Sequence, residues 1–231
     1  MDLIRLPYYV SSDTDMEGYG RFRLFHPTIE PAYRQIFIEK PNELIISNEE
    51  KAIRQLQFIA LAIGKPVTQR TSMVINIDGA CRKNGGENPR GAYGVYFGPN
   101  SHYNVSGLIA SDVAQTSNRA EIEALIKALD IIQIITNKDM SLSNLVIITD
   151  SEYLVKSLTE WVYIWEKREG MTSKGTPAAH FHLLKQIRDR LDWMEYSDDG
   201  GIRCQFWLTD RNHNVEADKL ANLAFDRATL P

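Results

Sequence analysis

Two cysteines in 231 residues, Cys81 and Cys204, cannot build a disulfide framework, so a reducing compartment is the expectation. No apolar run approaches the ~18 residues that a membrane-spanning helix needs. The opening Met1-Asp2-Leu3-Ile4-Arg5 lacks a basic stretch followed by a long apolar one, which argues against a secretory signal. The reading is therefore intracellular, in the cytoplasm, the nucleus or an organelle, with no membrane partner. Internal repeats and low-complexity tracts are also missing. So is an excess of positive charge: 26 Lys and Arg against 30 Asp and Glu leave a net charge of −4 at pH 7. Nucleic-acid binders draw much of their affinity from phosphate contacts and counterion release. Any such role here rests on a local basic patch, with modest affinity and strong salt sensitivity. What is present is ordinary for a globular chain, 43% hydrophobic and 24% charged, with room for one large or two small domains.

The most informative residues are the carboxylates Asp78, Glu121, Asp150 and Asp218. Asp78 ends the apolar run Met73-Val74-Ile75-Asn76-Ile77, and Asp150 ends a second, Leu145-Val146-Ile147-Ile148-Thr149. Glu121 lies one turn into a helical pattern opening at Thr116, and Asp218 falls in a helix that includes Ala217-Asp218-Lys219-Leu220-Ala221. If the two strands are neighbours in one sheet, Asp78 and Asp150 meet at its carboxyl edge, and the two helices can bring their acids to the same place. Acids gathered there repel one another unless a cation neutralises them. A set of hard oxygen donors without His or Cys points to Mg2+ or Mn2+. The plainer reading of any one of them is a helix cap or a solvated charge.

The pattern along the chain predicts strands at 73–78, 92–98 and 103–109, a helix over 117–135, and a buried strand at 145–149. A helix from Ser151 to about Glu160, helices over 178–193 and 214–228, and a strand at 203–208 complete it. Hairpin-linked strands followed by strands alternating with helices give an α/β fold, a mixed five-stranded sheet flanked by helices. Residues 71–231 form this domain, and residues 1–70 read as an N-terminal extension. Within the extension, Asp13 to Gly18 is polar and turn-like. Ser47-Asn48-Glu49-Glu50 has capping-box spacing, Ile53, Leu56, Ile59 and Ala60 follow as an apolar stripe, and Gly64 and Pro66 stop what reads as a helix. The extension either packs on the main domain or forms a separate substrate or partner module.

Taken in order, these motifs resemble the ribonuclease H family over roughly residues 72 to 228. Asp78-Gly79-Ala80-Cys81 looks like its first motif, Thr116 to Glu121 its helix motif, Thr149-Asp150-Ser151 its third, and Ala217 to Ala221 its last. Trp161 to Trp165, with the loop Thr172-Ser173-Lys174-Gly175-Thr176-Pro177, is similar to the Trp-bearing helix and loop of cellular members. The resemblance implies the ribonuclease H-like fold and an endonuclease that cuts the RNA strand of RNA/DNA hybrids. It implies two Mg2+ or Mn2+ ions held by Asp78, Glu121, Asp150 and Asp218. It also implies substrate contacts: Cys81 and Asn84 to the RNA strand, Thr116 to a DNA phosphate, Ser117 and Asn118 to the minor groove. Trp161 or Trp165 would line the DNA channel, although a Trp pair one turn apart is more commonly core packing. Asn214 either positions the helix start or touches substrate beside the metal site.

Two departures stand out. Many relatives carry a Lys/Arg-rich protrusion, where this chain has Glu166-Lys167-Arg168-Glu169. Many have a mobile-loop His about ten residues before the last acid, where this chain has Leu208. His213 either replaces that His as a proton shuttle or is a solvent-exposed loop residue. The rivals to a nuclease of this family are a catalytically weak nucleic-acid binder and another nuclease on the same fold. A monomer is the expectation.

Overall fold

The computed structural model describes residues 23–60, 62–196 and 201–228, so the expected turn at Asp13 to Gly18 lies outside the described residues. The elements run α1 (Pro31–Glu39), β1 (Ile45–Asn48), β2 (Ile53–Ala60), β3 (Lys65–Thr68), β4 (Ser72–Arg82), β5 (Arg90–Tyr96), β6 (Val105–Leu108), α2 (Ser117–Lys138), β7 (Asn144–Thr149), α3 (Glu152–Lys156), α4 (Val162–Lys167), α5 (Phe181–Tyr196), β8 (Arg203–Leu208) and α6 (Val215–Arg227). A π-helical turn, Ser157–Trp161, joins α3 to α4, so the helix expected to stop near Glu160 continues to Lys167. The strand expected over 73–78 continues to Arg82, because the β4–β5 hairpin keeps pairing to Arg82↔Arg90.

The five expected strands form one mixed sheet. β4 pairs antiparallel with β5 and parallel with β7, β5 continues to β6, and β7 pairs parallel with β8. Side chains alternate along these strands and build two cores. Met73, Ile75, Ile77, Leu145, Ile147, Cys204 and Phe206 point to one face, where α2 and the helices from α3 to α5 cover them. Val74, Val146, Ile148 and Trp207 point to the other. Their near-continuous apolar sequences follow from this two-sided burial.

The extension covers part of that second face. Phe25, Tyr33, Ile36, Phe37, Leu44 and Leu56 pack there with Val74, Val146, Ile148 and Trp207 in a single cluster. Three further strands join the sheet, which becomes eight-stranded: β1 and β3 pair with β2, and β2 meets β4 at Arg54↔Val74. At the far side, Leu24 forms a parallel bridge with Phe206 of β8. The helix expected after Ser47 is therefore a hairpin. Asn48 Oδ1 accepts the Lys51 amide, Ala52 turns at φ 53°, and Asn48 pairs with Ile53. The reason is burial on both faces: Ile53 joins one core and Leu56 the other. One helical stripe cannot serve two opposite layers. Gly64, at φ 60°, closes the β2–β3 turn instead of ending a helix.

Candidate functional site

The β4–β7 register places two of the acids. The last parallel pair is Asn76↔Ile148, and two residues further along each strand stand Asp78 and Asp150, at the carboxyl edge of the sheet. Two glycines then set the helices. A Cβ on Gly79 would lie 2.1 Å from the Glu121 amide nitrogen and 2.3 Å from the Ala120 carbonyl carbon. A Cβ on Gly94, the β5 partner of Asp78, would lie 2.3 Å from the Ala217 carbonyl oxygen and 2.5 Å from the Ala221 nitrogen. The first position seats the start of α2 on the β4 backbone beside Asp78, and the second seats α6 on β5 beside Asp218. Thr116 caps α2 by accepting the Arg119 amide at 3.2 Å.

These acids perturb one another. Burial, then the charges of Asp150 and Asp218, push Asp78 from the ordinary carboxylate range up to about 7. Burial, then Asp78 and Asp150, raise Glu121 well above its usual value. Glu121 Oε2 is shut off from solvent and has no hydrogen-bond partner. An orphaned buried carboxylate oxygen beside other acids is the environment that a hard cation relieves. Among the described residues no three acidic, His or Cys side chains stand close enough to hold an ion as they are. Two of the carboxylates are held by neighbours instead: Asn214 Nδ2 donates to Asp150 Oδ1 at 2.7 Å, and Arg211 Nη2 to Asp218 Oδ1 at 2.7 Å. Asn222 Nδ2 also donates to Asp218 Oδ2, at 3.2 Å. The donor set, oxygen only and including an orphaned buried carboxylate oxygen, fits a divalent ion in its chemistry.

A sequence model of the ribonuclease H family, described as RNase H, matches residues 70–225. The chain belongs to the ribonuclease H family. Ribonuclease H1 of Mus musculus is 35% identical over 156 residues, which are 65% of this chain and 49% of that protein. The human Ribonuclease H1 is 33% identical over 154 residues, 64% of this chain and 48% of that protein. The chain thus spans about half the length of the mammalian relatives it matches. A bacterial Ribonuclease H, from Caulobacter, is 29% identical over 156 residues, 65% of this chain and 88% of that protein. Among solved structures, LC11-RNase H1 isolated from compost superposes with a TM-score of 0.51 at 24% identity, covering 69% of this chain and 99% of that one. That likeness supports the ribonuclease H fold.

The other residues read from the ribonuclease H motifs are spread around this edge. Cys81 is on β4, partly exposed, its thiol donating to the Gln115 carbonyl at 3.4 Å. Asn84 is exposed in the turn after β4, between Lys83 at φ 57° and Gly85 at φ 75°. Ser117 opens α2, and Asn118 is exposed one residue on. Trp161 and Trp165 are half-buried with ring centroids 5.7 Å apart. Trp165 packs against the main core, while Trp161 meets Tyr153 at 6.1 Å and the Lys156 ammonium at 6.0 Å. His213 is exposed in the 3-10 turn Arg211–His213 before α6. His180, expected on a helix, precedes α5 at φ 60°.

Asn214 needs a correction. Read as a substrate contact, it is fully buried, and its amide is committed to protein. Nδ2 donates to the Ile77 carbonyl at 2.9 Å as well as to Asp150, and Oδ1 accepts from Asn76 Nδ2 at 2.8 Å. It is a strut between β4 and the acid after β7. Two contributors escaped the sequence reading. Asn76 looked like one polar residue in an apolar strand, and that interruption was the signal. Arg211 sits beside the acidic cluster, and its charge opposes the shift of both Asp78 and Glu121.

Proposed function

We propose that this chain is a divalent-metal-dependent endonuclease that hydrolyses the RNA strand of RNA/DNA hybrids, leaving a 5'-phosphate and a 3'-hydroxyl. Membership of the ribonuclease H family supports the reaction class, and the observation that carries the site is the buried, unpartnered Glu121 Oε2 among Asp78, Asp150 and Asp218. Asp78, Glu121, Asp150 and Asp218 would hold the ions. Two Mg2+ or Mn2+ ions there would activate the attacking water and stabilise the leaving oxygen. The protein's own part is positioning. Asn214 fixes Asp150, Gly79 lets Glu121 approach Asp78, and the start of α2 offers Thr116, Ser117 and Asn118 to the duplex at the positive end of a helix. His213 is exposed in the turn that precedes the Asp218 helix and is the residue we assign to the place of the family's loop histidine. With a net charge of −4, binding weakens steeply with salt.

The test is cleavage of a labelled RNA/DNA hybrid at low salt, in Mg2+ and then Mn2+, beside Asp78→Asn and an RNA/RNA duplex. Hybrid-only cutting that disappears in the folded variant supports the assignment. Equal cutting by Asp78→Asn refutes it, and binding without turnover in either metal favours the non-catalytic relative.

A further inference from the structure

The second face of the sheet is covered by two separate elements. The extension lies over one part and α6 over another. Between them is a cavity of about 310 Å³. Asn42 and Phe37 of the extension wall one side, the start of α6 the other, and Asn76, Tyr96 and Trp207 lie on the sheet beneath. The volume is at the low end of the ~300–1,000 Å³ typical of small-molecule pockets, the size of a nucleotide and not of a duplex.

Arg54 lines this cavity. It is a partly exposed residue whose Nε is sealed from solvent without a hydrogen-bond partner. Its Nη2 donates to Asn76 Oδ1 at 2.6 Å and to the Tyr96 carbonyl at 3.3 Å, and the guanidinium lies over the Tyr96 ring at 4.8 Å. Among the described residues it has no carboxylate partner. Neutral partners satisfy part of its donor fork, and the ring face offsets part of its charge without supplying a counter-ion. Burying an arginine charge without a counter-ion is costly, and burial accordingly pulls its pKa down to about 10, still protonated at neutral pH. The cavity also takes in Val215 and Glu216, at the positive end of the 13-residue α6. Glu216 is the one acid lining it, and that carboxylate is paired with Lys219 at 2.8 Å. His213 and Asn212 add exposed donors at the side nearest the acidic edge.

We infer that this cavity is a second binding site, separate from the carboxylate edge, which takes a phosphate group of a mononucleotide-sized ligand against Arg54, with Tyr96 and Trp207 offering aromatic surface to the rest of it. The phosphate reaches Arg54 either as a free nucleotide or inorganic ion, or as part of a nucleic-acid backbone end. The site is wired to the reaction centre. Arg54 holds Asn76, Asn76 donates to Asn214, and Asn214 donates to Asp150. Occupation that moves Arg54 is therefore felt at Asp150 through two buried amides.

The full chain titrated in EDTA, by calorimetry and thermal shift, tests this without any cleavage, so the result is independent of whether the hybrid is cut. The probes are inorganic phosphate, 5'-AMP, adenosine and a short RNA/DNA hybrid. Saturable binding of 5'-AMP, tighter than adenosine by at least tenfold, supports the site. Two variants localise it: Arg54→Gln removes the charge, and Asn42→Trp fills the mouth from an exposed position while leaving Arg54 in place. Each weakens phosphate and 5'-AMP at least tenfold. If only the hybrid binds, and Asn42→Trp weakens it, the phosphate comes from the backbone. No response to any phosphate-bearing probe, or responses unchanged in both variants, overturns the inference.

Discussion

Asp78 is a carboxyl that the fold prefers to keep protonated when no cation is present. Burial and the neighbouring acids raise its pKa from an ordinary 3.8 to about 7 in the folded protein. Between those values the folded state binds more protons at Asp78 than the unfolded one, so this group's contribution to stability is full below about pH 4 and is lost as pH rises through 7. Glu121, raised in the same sense, adds to the slope. Urea melts in EDTA should show this loss, Asp78→Asn should flatten much of it, and millimolar Mg2+ should reverse it in the parent. A stability that rises with pH across this window would contradict the arrangement. Asn214 gives a second prediction at this scale. It touches three groups and no solvent. Asn214→Ala should cost ~10–100-fold in hybrid cleavage or in metal affinity, the usual effect of removing a group that orients a ligand. That Asp78, Glu121, Asp150 and Asp218 gather at one sheet edge was legible from sequence, because each goes with its own strand or helix signal. The Asn76–Asn214 bond was not, since it joins residues 138 positions apart, and no local pattern encodes it.

The helices reach the site through glycine. Gly94→Ala drives a methyl to 2.3 Å from a backbone oxygen of α6, and backbone cannot rotate aside as a side-chain tip can. We expect a loss of at least the ~1–3 kcal/mol typical of overpacking, read as a lower urea midpoint. Activity should fall further than stability explains, because α6 carries Asp218. Gly85→Ala is the comparison: a Cβ there meets nothing within 4 Å, and only its φ of 75° opposes it. Within residues 71–228 periodicity located every strand and helix, and some of their boundaries. β8 matches its expected span of 203–208, and α2 runs only three residues past residue 135. The extension misled because Ser47-Asn48-Glu49-Glu50 satisfies two local codes at once, a helix cap and a hairpin turn. The choice between them was made by Ile53 and Leu56, which must enter cores on opposite faces. Only the partner layers reveal that requirement.

For the molecule as a whole, the extension is a structural layer of the same body. Trp207 packs on Phe25 at 5.3 Å and on Phe37 at 6.0 Å between ring centroids. Val74, Val146 and Ile148 lie beneath the same aromatic group. Removing residues 1–60 would strip this cover and expose the sheet face, leaving β8 without the Leu24 bridge. Such apolar surface promotes association. If one layer depends on the other, unfolding is a single transition, and a wound in α1 is felt at the acids. Ile36 is fully buried, so Ile36→Ala should lower stability by about 2–5 kcal/mol. Fluorescence, in part from Trp207, and protection of the β4 amides should be lost together. Two separated transitions, or an isolated 61–231 fragment as stable and as soluble as the whole chain, would mean that the extension is a module resting on a self-sufficient domain. The shared cluster argues the opposite, because four of its ten buried members come from β4, β7 and β8 and six from residues 25–56. Neither group can bury itself alone.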